Sequence, residues 1–456
     1  MSPYRTINPA TGKTEKVFDL HDDKTMHAKL STAHQLWESD WRHRSIAQRK
    51  AVMLKAAEIL RKDKEKHARL ISIEMGKILP EAIGEIELSA DILAYYAQKA
   101  ETFLAPRELP VSQGHAIVTS EPLGIIYCVE PWNFPYYQLA RVAAPNLMAG
   151  NVVMVKHAPS VPQCAVAFEE LFREAGAPEG AYTNLFITND QSEKLIDCPE
   201  VRGVALTGSE RAGSAVASQA GRALKKSTME LGGSDAFIVL DDADLDKVVP
   251  LAISGRMSNN GQVCTAAKRM IVHKSLVEEF TSRLKTAVNE FEYGDPLEQG
   301  VSHGPMSSQA AMERAISQVE KAVSHGAELV VGGKKIDREG FFMKAAILTS
   351  ITRNNPIFYE EIFGPVAIIH SVGSDDEAVA LANDSPYGLG GSIQTSDVER
   401  GRRVAARIDT GMVFINNITG TAPDLPFGGI KNSGYGRELS EFGIEEFLNR
   451  KLVHTP

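Results

Sequence analysis

Cysteine is scarce in this chain: four among 456 residues, at positions 128, 164, 198 and 264, with no C-x-x-C pair. Such scattered thiols provide neither a zinc module nor a disulfide framework, so no metal is expected and a reducing compartment is. Long apolar runs are lacking too. None approaches the roughly 18 uninterrupted apolar residues of a membrane span. Met1-Ser2-Pro3-Tyr4-Arg5 opens into polar sequence without an apolar leader core, so the cytoplasm is the expected location. Nor is there a basic excess. Lys and Arg total 49 against 58 Asp and Glu, a net charge of −9, which argues against nucleic acid or anionic membrane as partners. Low-complexity tracts and short internal repeats are absent.

What remains is the balance of a soluble globular protein, with 43% hydrophobic and 23% charged residues. The length calls for two or three packed units. After a short irregular start, apolar residues recur at helical spacing from Ser45 to about Thr102, until Pro106, Pro110 and Gly114 interrupt the period. Residues 116–119 and 125–129 read as strands around a turn at Pro122-Leu123-Gly124. The second is nearly all apolar, as in a strand buried on both faces of a parallel sheet. Strands at 152–155, 204–206 and 236–240 then alternate with helices at 161–175, from Ser209 to about Lys226, and after the cap-rich Asp241-Asp242-Ala243-Asp244. Strands at 270–272 and 366–369 repeat the theme, and a Gly-rich stretch, 426–436, closes it. The alternation predicts an α/β chain built on open, mostly parallel sheet covered by helices.

Four short segments carry candidate chemistry. In Gly261-Gln262-Val263-Cys264, a turn between helix and strand fits an exposed thiolate nucleophile, or a buried structural cysteine. Glu230-Leu231-Gly232-Gly233 puts a carboxylate at a strand end beside two glycines, which suits a general base or an ordinary edge residue. Pro131-Trp132-Asn133-Phe134-Pro135 holds an amide between two aromatics in a proline-fixed backbone, as an oxyanion donor requires. Gly208-Ser209-Glu210-Arg211-Ala212-Gly213 joins strand to helix, where backbone N–H groups can face a phosphate, although it is not G-x-G-x-x-G.

Together these segments resemble the aldehyde dehydrogenase superfamily, the NAD(P)-dependent enzymes that oxidise aldehydes to carboxylic acids. The resemblance runs from Asn8-Pro9-Ala10-Thr11-Gly12 to Pro426-Phe427-Gly428-Gly429 and Ser433-Gly434-Tyr435-Gly436-Arg437, and includes Glu360-Glu361-Ile362-Phe363-Gly364-Pro365. Glu230 lies 34 residues before Cys264, the superfamily's spacing. The resemblance implies Cys264 as nucleophile, Glu230 as general base, and Asn133 with the Cys264 N–H as oxyanion hole. It implies cofactor contacts from Trp132, Lys156, Ser160, Gly208, Ser209, Leu231, Glu361 and Phe363. The implied fold has a Rossmann-like NAD(P)-binding domain (1–104 and 122–232), a catalytic domain (233–441) and a β-hairpin oligomerisation extension (105–121 with 442–456). A homodimer or homotetramer would follow.

Within the superfamily, Pro135-Tyr136-Tyr137-Gln138-Leu139-Ala140-Arg141 and Lys156-His157-Ala158-Pro159 resemble bacterial succinate-semialdehyde dehydrogenases. Arg141, with Tyr137, would then bind the substrate, its guanidinium pairing with the distal carboxylate, unless it makes an internal salt bridge. Many such relatives carry a second arginine six residues before the cysteine; here Ser258 stands there, and Arg256 is two residues further back. A general or aromatic aldehyde dehydrogenase, with Tyr136 and Tyr137 lining an apolar tunnel, is the alternative. A catalytically silent relative would lack Cys264, Glu230 or Asn133, and all three are present. NAD-selective relatives usually place a glutamate three residues after the ribose-contacting lysine. Pro159 stands there, so NADP is expected to be accepted as well as NAD, with Lys156 and His157 as candidate partners of its 2′-phosphate.

Overall fold

The computed structural model describes residues 3–456. Five helices build most of the first third: α1 (Asp23–Ser39), α2 (Ile46–Lys62), α3 (Lys64–Met75), α4 (Leu79–Phe103) and α5 (Tyr137–Ala149). Helix α1 lies where an irregular start was expected. Only Met26, Leu30 and Ala33 of its 17 residues are buried, so its apolar stripe is too thin to read as a period. Ser45 begins α2 with a capping box, its hydroxyl accepting from Gln48 N while the Gln48 side chain accepts from Ser45 N.

The first sheet has six strands in the order Gly434–Tyr435, Lys226–Glu230, Val201–Thr207, Ile125–Glu130, Val152–His157 and Tyr182–Asn184. Four of its five pairings are parallel, and only Gly434–Tyr435 runs against its neighbour. The covering helices are α6 (Pro162–Glu174), α7 (Asn189–Asp197) and α8 (Glu210–Arg222). Helix α8 ends four residues before Lys226. Leu224 turns with φ of 56°, and Lys226 opens a strand instead of extending the helix.

The strand order reverses between Ile125–Glu130 and Val201–Thr207. The chain moves from the former outward through Val152–His157 to Tyr182–Asn184, then returns to its other side. In open α/β sheets ligands bind beyond the carboxyl ends of strands at such a switch point. Pro131-Trp132-Asn133 and Gly208-Ser209 both follow from those ends.

A second sheet of seven strands runs Glu328–Val331, Ala346–Thr349, Val366–Val372, Arg269–His273, Ala236–Val239, Gly391–Gln394 and Phe414–Ile415, all parallel except the first. The chain then returns to the first unit, where Phe427, Leu439, Ile444 and Phe447 join its core. A separate antiparallel sheet combines Arg107–Leu109, His115–Pro122 and Leu448–Thr455. No helix among the described residues is long and apolar enough to cross a membrane.

Candidate active site

The switch point gathers the segments that would face a dinucleotide. Ser209 caps α8, its hydroxyl accepting from Ala212 N at 3.4 Å, while Gly208 N donates to Glu230 O at 2.9 Å. Helix α8 rides close over Leu231. A Cβ on Gly213 would sit 2.5 Å from the Leu231 side chain and would have to displace it. Lys156, at the end of the neighbouring strand, is buried, and its ammonium has no carboxylate or hydrogen-bond partner among the described residues. Burial lowers its pKa. A desolvated cation without a counter-charge fits an anionic ligand. Ser160 is half-buried just beyond it, after Pro159, whose carbonyl accepts from Arg5 N at 3.1 Å. His157 does not extend this site. Its two ring nitrogens lie 3.1 Å from Glu130 O and 3.1 Å from Pro135 O, and burial pushes its pKa down to about 4. It ties two backbone segments together, and both of its ring nitrogens are occupied by carbonyls.

Cys264 is half-buried just beyond the turn Ser258–Gly261, in which Asn259 and Asn260 adopt left-handed φ of 51° and 53°. Distant segments converge on it. The Asn133 amide donates from Nδ2 to Gln262 O at 3.0 Å. Gly233 packs so near that a Cβ there would lie 2.7 Å from the Cys264 carbonyl. Lys268 Nζ donates to Val263 O at 2.8 Å and to Cys264 O at 2.6 Å, and pairs with Glu361 Oε1 at 3.0 Å. That carboxylate also accepts from Gly233 N at 3.2 Å. Trp132 and Phe363 meet edge to face, their centroids 5.9 Å apart. Burial pushes the Cys264 thiol up to about 11, against the opposing pull of the Lys268 and Arg141 charges.

Behind this turn lies a buried charge cluster. Glu230, Glu130 and Glu438 all face the guanidinium of Arg141, and Arg437 acts on Glu230 as well. Arg141 pairs through Nε with Glu438, donates from Nη1 to Tyr137 OH at 3.1 Å, and from Nη2 to Thr207 Oγ1 at 2.9 Å. Its side chain is fully buried. The guanidinium thus has partners within the fold, as the internal salt-bridge alternative expected, because a buried cation requires a counter-charge and Glu438 supplies it. Tyr137 OH also meets Thr421 Oγ1 at 3.0 Å. Arg256 is equally occupied, donating to the carbonyls of Val366, Gly261, Ile362 and Gly364. Burial raises the pKa of Glu230 well above the usual carboxylate range, and its two oxygens have no hydrogen-bond partner among the described residues.

A family model described as the aldehyde dehydrogenase family matches residues 2–453. The chain belongs to the aldehyde dehydrogenase family. It is 49% identical over 453 residues to the NADP(+) succinate-semialdehyde dehydrogenase of Deinococcus radiodurans, covering 99% of this chain and 95% of that one. Among solved structures, the enzyme Gox0499, studied for its cofactor and substrate selection, is 61% identical with a TM-score of 0.99, covering 99% of both chains. The succinic semialdehyde dehydrogenase of Streptococcus pyogenes, solved with NADP+, is 47% identical with a TM-score of 0.98, covering 99% of this chain and 100% of that one.

In this aldehyde dehydrogenase the fold adds residues that motif reading passes over: Lys268, Glu438, Glu130, and the pair Lys77 and Glu85. Two carry a signal in the sequence. Glu130 ends an otherwise apolar strand, and Lys268 stands four residues after Cys264 just before another. The other three have none: Glu438 meets Arg141 from far along the chain, and Lys77 meets Glu85 across a helix break.

Proposed function

We propose that this aldehyde dehydrogenase oxidises succinate semialdehyde to succinate by covalent catalysis at Cys264, accepting NADP+ and NAD+. The observation that carries the reading is the hydrogen bond from Asn133 Nδ2 to Gln262 O, which joins the amide motif to the cysteine turn across 129 residues. The substrate class is supported by the names of the Deinococcus and Streptococcus relatives, and the cofactor by the unpaired Lys156 ammonium.

The Cys264 thiolate attacks the aldehyde carbon, forming a C–S bond and an alkoxide. The second N–H of the Asn133 amide and the Cys264 backbone N–H stabilise that charge, as oxyanion donors fixed before reaction do. A bound nicotinamide supplies the acceptor for the hydride that leaves this carbon. Cys264 is then an acyl thioester. Glu230 takes a proton from water, the hydroxide oxygen adds to the acyl carbon, and the C–S bond breaks to release carboxylic acid and thiolate. A carboxyl raised toward the working pH suits this base. Lys156, Ser160, Gly208, Ser209 and Leu231 would hold the dinucleotide, with Glu361, Trp132 and Phe363 at its nicotinamide end.

The units would divide the work: the six-stranded sheet and its helices bind cofactor, the seven-stranded sheet presents Cys264. The three-stranded sheet, with Leu452 and Val453 exposed, would join subunits of a homodimer or homotetramer in the cytoplasm. Sedimentation of wild type against a chain ending at Phe447 tests the assembly.

The pairing of Arg141 with Glu438 favours a second reading, a general or aromatic aldehyde. Comparing kcat/KM for succinate semialdehyde, butanal and benzaldehyde separates the two. The first reading expects a preference for succinate semialdehyde over butanal of about 2 kcal/mol, the scale of one charge-assisted contact. Equal values would transfer the assignment to the second.

A further inference from the structure

Helix α3 stops at Gly76, whose φ of 83° and close contact with Pro305 leave no room for a side chain. The next residue, Lys77, turns inward. Its side chain and that of Glu85 on α4 are each 1% exposed, and the two are ion-paired. Lys77 Nζ also donates to the backbone carbonyl of Asn133 at 3.0 Å and sits 3.5 Å from the Phe134 ring centroid. Asn259 Nδ2, from the cysteine turn, donates to the same Asn133 carbonyl at 3.0 Å. The other oxygen of Glu85 accepts from Tyr136 N at 2.8 Å and Tyr137 N at 3.1 Å, replacing the side-chain cap that α5 lacks.

A buried ion pair seldom improves stability over apolar residues of the same volume. Here both members spend their remaining hydrogen-bonding capacity on one stretch of backbone, residues 133–137. We infer that Lys77 and Glu85 are positioning residues for the oxyanion amide of Asn133, with Asn259 as the tie to the cysteine turn. This inference rests on the proposed role of Asn133. With the Asn133 carbonyl held by two donors and its amide by Gln262 O, the side chain has one orientation. Without Lys77 the carbonyl keeps a single donor, and the Phe134 ring loses its cation. Pre-organisation of a donor affects the transition state more than the ground state, so the loss falls on kcat and leaves cofactor affinity unchanged.

The test is a double-mutant cycle on the full-length enzyme, reading kcat, KM and NADP+ affinity. Lys77→Met with Glu85→Gln removes both charges while the glutamine oxygen still caps α5, so no lone charge is buried; Lys77→Arg keeps the charge. Asn133→Ala alone should lower kcat about 100-fold. The neutral pair should lower kcat at least tenfold with NADP+ affinity within twofold of wild type, and Lys77→Arg should recover part of that loss. In the Asn133→Ala background the neutral pair should change kcat less than twofold, since the group it orients is gone. A loss that multiplies with that of Asn133→Ala, an unchanged kcat in the neutral pair, or a neutral pair that fails to fold while Lys77→Arg matches wild type would each overturn the inference, the last by assigning the pair to stability. If Asn133→Ala itself leaves kcat unchanged, the oxyanion role fails first, and the inference with it.

Discussion

The two sides of Cys264 are built on opposite electrostatic terms. On the Glu361 side, one ammonium, Lys268, meets one carboxylate and two carbonyls, and the carboxylate also has the Gly233 N–H. Charge and hydrogen bonds balance there. On the Glu230 side, three buried carboxyls face the Arg141 guanidinium, with Arg437 acting on Glu230 as well, and the Glu230 oxygens have no hydrogen-bond partner among the described residues. Burial, with repulsion from neighbouring carboxyls, holds all three above the usual carboxylate range. A balanced set of contacts fixes geometry; an unbalanced set of carboxyls stores and moves protons. We propose on this difference that one side of the thiol positions and the other transfers protons.

The largest effects should come from the groups that react. Cys264→Ala should lower turnover by more than about 10⁴-fold while equilibrium dialysis still shows cofactor bound. Glu230→Gln should lower steady turnover by about 100-fold or more but preserve a first-turnover burst of NADPH, because its work follows hydride loss. Loss of the burst would move Glu230 into the first half of the reaction and blur the division between the two sides.

Next in size is a stability effect. Arg141→Met removes the one cation that all three buried carboxyls face and should cost about 3–5 kcal/mol in urea unfolding; adding Glu438→Gln should restore part of it. A neutral result would mean that Glu438 is already protonated in wild type.

A smaller effect separates the sides by pH. With a thiol pKa of about 11, the thiolate fraction of the cofactor-free enzyme grows as pH rises. Inactivation by iodoacetamide should therefore accelerate about tenfold per pH unit between 7 and 10. Lys268→Met removes a nearby positive charge that favours the thiolate, so its profile should move to higher pH by about one unit. A wild-type plateau near pH 8 would contradict the burial argument. The smallest effect concerns the cofactor's 2′ position: Pro159→Glu should weaken NADP+ about tenfold relative to NAD+, by repulsion beside Lys156. No change would place the 2′-phosphate elsewhere.

The sequence made the two sides legible to different degrees. Strands such as Ile125–Glu130 and Val152–His157 were readable because burial on both faces demands continuous apolar runs. Cys264, Asn133 and Glu230 stood out through the order of their motifs and the 34-residue spacing from Glu230 to Cys264, since a lone thiol or strand-end carboxylate fits a structural role as well. Helix α1 was not readable, with three buried positions in 17. Nor was the strand at Lys226, because Ala-Leu-Lys-Lys has good helix propensity and only pairing with Val201–Thr207 makes it extended. The ion pairs were hidden for a different reason. Arg141 meets Glu438 across almost 300 residues, and Lys77 meets Glu85 across a helix break, so no spacing rule joins them. That is why Arg141 was legible as a cation in the right place while its partner was not.

The central claim is that chemistry passes through an acyl group on Cys264 that Glu230 helps to release. The direct measurement is peptide mass mapping of Glu230→Gln after mixing with succinate semialdehyde and NADP+ and quenching in acid. The account predicts one succinyl group, attached to the peptide that contains Cys264 and removed by hydroxylamine. An unmodified Cys264 peptide in a sample that has released one equivalent of NADPH would contradict it.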